Sequence, residues 1–209
     1  MKTVTEEQYY VPYPTRLIQC DSLPSYTNSS GVIFLNNKSF NIIDRFQYSE
    51  KMHYPLLTSV AGVSLERVSF ERETQNENNW KSAAESYGFA TPGYQNSQFS
   101  NNSAFADRLK IVPEVFAPNQ SGFADYVEIH CGFEVPENRV TINIFDRSGN
   151  LIKTIANNQI CALNEVFLWD GVSDKNYRVP SDLYIVKMEY WNLNAKRKTI
   201  KKTVGIVYP

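Results

Sequence analysis

The sequence predicts an all-β protein of two antiparallel β-sandwich modules joined by a short linker. Three observations carry this. Tyr (13) and Phe (12) are abundant, as in strands that pack bulky side chains on a pleated surface. Apolar and polar residues alternate with period two over many short segments. Clusters of Gly, Pro, Asn and Ser interrupt those segments at close spacing, while helical periods rich in Ala and Leu are nearly absent. A chain of 209 residues has room for one large domain or two small ones, and 42% hydrophobic residues are enough to build a core.

In chain order, strands are expected at 16–20, 31–35, 41–48 and 64–70. Turns at Thr27-Asn28-Ser29-Ser30-Gly31 and Asn36-Asn37-Lys38-Ser39 separate the first three. Residues 79–84 read as a short helical turn. Gln95 to Ser103 is polar and amide-rich and reads as a linker. The alternation then sharpens. Val127, Ile129, Cys131 and Phe133 share one face, with Glu128 and His130 on the other. Val140, Ile142 and Ile144 repeat the pattern up to the hairpin turn Asp146-Arg147-Ser148-Gly149-Asn150 and Leu151-Ile152. Strands at 165–169, 184–190 and 199–207 complete the set, the last two joined by Asn192-Leu193-Asn194-Ala195. Short strands with one polar face each describe a sandwich. The expected organisation is residues 1–98, a linker at 99–108, and residues 109–209.

The charge balance of 21 basic against 22 acidic residues argues against a protein held on nucleic acid or an anionic membrane by bulk charge. No apolar run approaches the roughly 18 residues of a membrane span. Residues 1–7 lack the apolar stretch of a secretory leader. Cys20, Cys131 and Cys161 form no CxxC pair and no zinc-like spacing. Sequence supplies no geometry for a Cys131–Cys161 bridge, and core thiols are the expectation.

Two resemblances follow from particular residues. Gly62-Val63-Ser64-Leu65-Glu66-Arg67, then Asn79-Trp80, then Ala90-Thr91-Pro92-Gly93-Tyr94-Gln95-Asn96 resemble the C-terminal part of a bacterial lamin-tail domain, an immunoglobulin-like sandwich. Residues 109–207 resemble the immunoglobulin-like module of the flagellar hook-capping protein, relatives of which end many Bacteroidetes surface proteins. That resemblance rests on Pro113-Glu114-Val115-Phe116-Ala117-Pro118-Asn119, on 140–149, on Trp169-Asp170-Gly171 and on Leu183-Tyr184-Ile185-Val186. The first implies a module whose opening strands are missing here. The chain is then a fragment of a longer exported protein, or a strand-completing partner or a second copy closes its first sheet. The second implies a loop after Pro118-Asn119 that in relatives is Asp-Gly-Asp-Gly. Here only Asp125 keeps a carboxylate, too few for the six to eight oxygens of Ca²⁺. Asp182 replaces the relatives' Gly.

Candidate chemistry is sparse. His53 and His130, the only histidines, sit in different modules, and acid–base work would need partners across the linker. No GxSxG, HExxH or P-loop occurs. Glu71 with Glu73 and Asp170 with Asp174 fall in turns, where carboxylates cap backbone, rather than across a cleft. Lys196-Arg197-Lys198 and Lys201-Lys202 beside Tyr190 and Trp191 read as an anionic-ligand patch or as edge lysines that prevent strand pairing. Tyr9, Tyr10, Tyr13, Tyr87, Phe89 and Tyr94 are candidates for a glycan platform or for plugging sandwich ends.

No catalytic, cofactor-binding or metal-binding residue is assigned. The expectation is a non-catalytic structural or binding module of an exported, cell-surface bacterial protein, with a glycan or other surface ligand and no nucleic acid. The alternatives are a C-terminal secretion or anchoring domain, or the accessory domain of a surface nuclease or phosphatase.

Overall fold

The computed structural model describes residue 22 and residues 24–100, 108–118, 125–193 and 197–208. The strand expected at 16–20, Tyr9, Tyr10, Tyr13, Cys20, the loop 119–124 and Lys196 lie outside these residues. The chain divides into two compact units, residues 1–102 and 103–209. Both are built from β-structure, antiparallel except for one short parallel pair in unit 2, and among the described residues there is no α-helix.

Among its described residues unit 1 holds two small sheets. Strands β1 (Ser30–Asn36) and β2 (Ile42–Ser49) pair antiparallel. Their turn is closed by Asn37, whose Oδ1 accepts the N–H groups of Ser39 and Asn41, both at 2.9 Å, a local bond that Asn makes readily. Strands β3 (Leu65–Arg67) and β4 (Trp80–Ser82) form the second pair. The Phe46 ring of β2 stacks on Trp80 of β4 with centroids 3.7 Å apart. The helical turn expected at 79–84 is instead a 3₁₀ turn at Glu77–Asn79 followed by strand β4. Asn79 explains the difference: its Oδ1 accepts the Ser69 N–H at 2.9 Å and its amide donates to the Ser69 carbonyl at 2.9 Å. The chain is thereby pinned in extended form beside β3.

Period-two alternation does not bury one face of β1 and β2. Val32, Phe34, Leu35, Ile42 and Ile43 are all exposed, and the cover over β2 among the described residues is partial, over Asp44 and Phe46, from Thr74 and Trp80. The buried centre of unit 1 is instead largely polar, with Glu66, Ser69, Asn79, Ser82, Ser97 and Gln98 beside Tyr54, Val68, Ala83 and Ala84. Ser97 and Gln98 correct the linker reading of 95–103. They are buried, and the Ser100 N–H donates to the Val68 carbonyl at 2.8 Å, so the chain up to residue 100 is part of unit 1. At the other end, Arg108 already opens a strand of unit 2.

Unit 2 is a sandwich with a continuous apolar core. One sheet has the order β10-β7-β5, from β10 (Asn164–Trp169), β7 (Val127–Gly132) and β5 (Arg108–Val112). The other runs β6-β12-β11-β8-β9, from β6 (Val115–Phe116), β12 (Lys198–Ile206), β11 (Asp182–Trp191), β8 (Arg139–Phe145) and β9 (Leu151–Ile160). Here alternation does decide burial. Val127, Ile129 and Cys131 of β7 face Val140, Ile142 and Ile144 of β8 and Tyr184, Val186 and Met188 of β11 across the core, the arrangement of two inner faces in a sandwich.

Candidate functional site

The two histidines are taken up by structure. His53 Nδ1 lies 3.2 Å from Ser82 Oγ, and that oxygen also accepts the Tyr54 N–H at 2.8 Å. Ser82 is fully buried, so this serine–histidine contact meets no substrate. Burial holds the His53 imidazole below its ordinary value, because a charged ring loses hydration there. His130 Nε2 lies 2.7 Å from Glu128 Oε2 on the outer face of β7. Asp170 and Asp174 cap backbone. Asp170 Oδ1 accepts the Val172 N–H at 3.1 Å, and Asp174 Oδ2 accepts the Thr154 N–H at 3.0 Å. Glu71 and Glu73 sit on the exposed loop between β3 and β4. Among the described residues no group of three or more His, Cys, Asp or Glu side chains is placed to hold a metal ion.

The most organised polar site is Glu66 on β3. Its side chain is 4% exposed, yet its carboxylate is fully engaged. Thr91 Oγ1 donates to Oε1, Ser97 Oγ donates to Oε2 at 2.7 Å and the Gln98 N–H donates to Oε2 at 3.2 Å. One residue on, the Arg67 carbonyl accepts the Asn96 amide at 2.9 Å. A buried carboxylate is tolerable only when hydrogen bonds replace its water. Here residues 91–98 supply them, so the segment acts as a belt closed onto β3. Sequence inspection found Glu66, Thr91 and Asn96 by pattern but missed Ser97 and Gln98, which looked like linker.

In unit 2 the Trp169-Asp170-Gly171 stretch turns a corner at the end of β10. The Trp169 ring is buried, edge-on to Phe116 at 5.6 Å and to Tyr184 at 5.4 Å. Its Nε1 donates to the Val172 carbonyl at 3.0 Å. Gly171 has φ +74° and a Cβ there would lie 2.8 Å from Pro118 Cγ, so glycine is required on two counts. Cys131 and Cys161 are both buried free thiols. Burial and the neighbouring Glu165 push the Cys131 thiol up to about 12.

The basic cluster is divided by the pleat. Lys198 and Lys202 pair with Tyr190 and Val186 and share their face of the sheet, whereas Lys201 pairs with Lys187 on the outer face. Arg197 is held 3.6 Å from Glu189, and Lys198 Nζ lies 5.8 Å from the Tyr190 ring centroid. Beyond β11, the only described strand on β12 is β6, which pairs at Gly205 and Ile206. The lysines therefore line an edge, where charge blocks pairing with another sheet.

These features define unit 2 as a two-sheet β-sandwich domain. More particularly, residues 110–208, just under half of the chain, match the CHU_C type IX secretion signal domain. Such a signal marks export to the cell surface or beyond, which is where this protein resides. Among the described residues no helix is long and apolar enough to cross a membrane. Among solved structures, the chain is similar to PorZ of Porphyromonas gingivalis, a surface component of the type IX secretion system (18% identity, TM-score 0.36, over 55% of this chain and 13% of PorZ). It is also similar to FlgD from P. aeruginosa (20% identity, TM-score 0.33, over 39% of this chain and 62% of that one). A third is CopC from Methylosinus trichosporium OB3b (15% identity, TM-score 0.33, over 48% of this chain and 93% of that one). The chain thus spans less than two thirds of PorZ and of FlgD. No curated protein matches it.

Proposed function

We propose that unit 2 is the signal by which type IX machinery carries the chain to the cell surface, and that unit 1 is the non-catalytic structural or binding module it delivers. The observation that carries this is the match of 110–208, which runs through β5–β12. Autonomy supports it: unit 2 has its own apolar core, so it can fold behind different cargo. A non-catalytic role is supported by the engagement of His53, His130, Asp170 and Asp174 in local contacts.

Unit 1 is read as lamin-tail-like. The residues that carried that resemblance meet in space, Glu66 with Thr91 and Arg67 with Asn96. A structural or adhesive role follows for this module.

The test is a reporter carrying a secretory leader in front of residues 103–209, expressed in a bacterium with an active type IX system and in a mutant lacking it. The reporter reaches the surface or medium in the first strain and stays in the periplasm in the second. A reporter retained in the periplasm of both strains removes the proposal.

A further inference from the structure

We propose that a groove on the outer face of the five-stranded sheet of unit 2 binds an uncharged oligosaccharide. The proposal is independent of the export reading.

The groove is shallow and open to solvent, with a volume of about 760 Å³, within the range of roughly 300–1,000 Å³ common for ligand clefts. It exists because β8 and β9 fall out of register. Val140 pairs with Gln159 and Ile142 with Ala156, so Asn157 and Asn158 together oppose Thr141 alone. That is a bulge, a device that re-aims side chains. Asn158 takes φ +51°, a left-handed conformation that Asn tolerates better than most residues. The bulge is latched at Asn158, whose N–H donates to Thr141 Oγ1 at 3.0 Å and whose Oδ1 accepts from Arg139 Nε at 3.1 Å. The strained shape is therefore built, not frayed.

Trp191 and Arg197 form the opposite side and Asn143 lies farther along β8. Among the described residues, the side chains of Asn143 and Asn157 and the Trp191 ring have no protein partner. A carboxamide both donates and accepts, as paired sugar hydroxyls require. The indole offers a flat apolar face for the C–H side of a sugar ring.

Charge decides the class of sugar. Of the lining residues only Glu189 and Arg197 are charged, and they face each other at 3.6 Å, with Lys187 Nζ 3.0 Å from the same carboxylate. Glu189 and Arg197 cancel within the lining, and Lys187 and Arg139 stand outside it, already held by Glu189 and Asn158, so recognition falls to the carboxamides and the indole. Lys201 and Lys202 are not part of the lining.

The experiment uses the full chain and short neutral oligosaccharides of glucose, mannose, galactose or xylose, followed by calorimetry and by tryptophan fluorescence. At least one binds saturably, with an affinity unchanged by added salt. Trp191→Ala weakens it at least about tenfold, Asn157→Ala about tenfold, and Trp191→Phe retains part of it. Lys201→Glu leaves it unchanged. Unchanged melting of each variant shows that the loss is local. Comparing insoluble neutral polysaccharide with the bacterium's own envelope polysaccharide then tells an external source from a self source of the same chemistry. No binding by any neutral sugar, binding that survives Trp191→Ala, or binding that salt and Lys201→Glu abolish each overturns the proposal.

Discussion

Removing the Glu66 carboxylate tests whether the belt 91–98 holds unit 1 together. In Glu66→Ala three donors lose their acceptor: the hydroxyls of Thr91 and Ser97 and the main-chain N–H of Gln98. The hydroxyls can rotate toward other acceptors, but the Gln98 N–H is fixed, and Gln98 is wholly buried. Leaving that donor unpaired costs about 1–3 kcal/mol, and losing hydrogen bonds to a charged acceptor costs about 1.5–3 kcal/mol. The void adds to both. We expect a loss of about 3–5 kcal/mol in unit 1. Glu66→Gln keeps one oxygen for Ser97 and Gln98, and Thr91 can turn to accept from the new amide, so its loss is about 1–2 kcal/mol. For a unit of about 100 residues, each kcal/mol moves the melting midpoint by about 4–8 °C. Calorimetry of the full chain resolves the two units, and only the unit 1 transition should move. A Glu66→Ala shift below about 1 kcal/mol, or equal shifts for Ala and Gln, would refute the belt as the source of order. The exposed Glu73→Ala serves as the control.

Other tests follow from the same reasoning. His53 has a folded-state value lowered by burial from 6.5, so below that pH the unfolded chain binds the proton more readily. Stability of unit 1 is full above about pH 6.5 and falls with acidification through the window down to the lower folded value. Denaturation midpoints measured from about pH 7 to about pH 5 should show this slope in unit 1, and His53→Gln should lose it. In a Cys20→Ser background, Cys131 and Cys161 should stay unreactive to a thiol reagent at neutral pH until denaturant opens unit 2. Reaction of the native protein would contradict their burial. Trp169→Ala should cost unit 2 about 3–5 kcal/mol, with export of the reporter fusion falling in parallel. Gly171→Ala should cost about 2 kcal/mol or more from the left-handed backbone and the Pro118 contact, measured by the same calorimetry.

How much was legible in the residues differs between the halves for a physical reason. In unit 2 the central strands β7, β8 and β11 separate a buried apolar face from a more polar one, since two sheets close on a single core. The pattern at 127–133, 140–144 and 184–190 therefore reads directly as β7, β8 and β11. The Trp169 corner was legible too, because Asp-Gly dictates a tight turn whatever surrounds it. In unit 1 order comes from hydrogen bonds to buried polar groups, and these have no period. Asn79 looked helical and Gln98 looked like linker because both are polar, but what places them is a partner far along the chain: Ser69 for Asn79, Glu66 for Gln98. The groove in unit 2 escaped for a related reason. Its signal, the pair Asn157-Asn158, breaks the alternation of β9, and a broken pattern reads as noise until the register of the neighbouring strand is known. Polar residues that interrupt a regular strand thus mark where packing has been given up for something else. In this protein the interruption coincides with carboxamides and an indole that have no partner among the described residues, and that coincidence makes the bulge a candidate binding device instead of a packing defect.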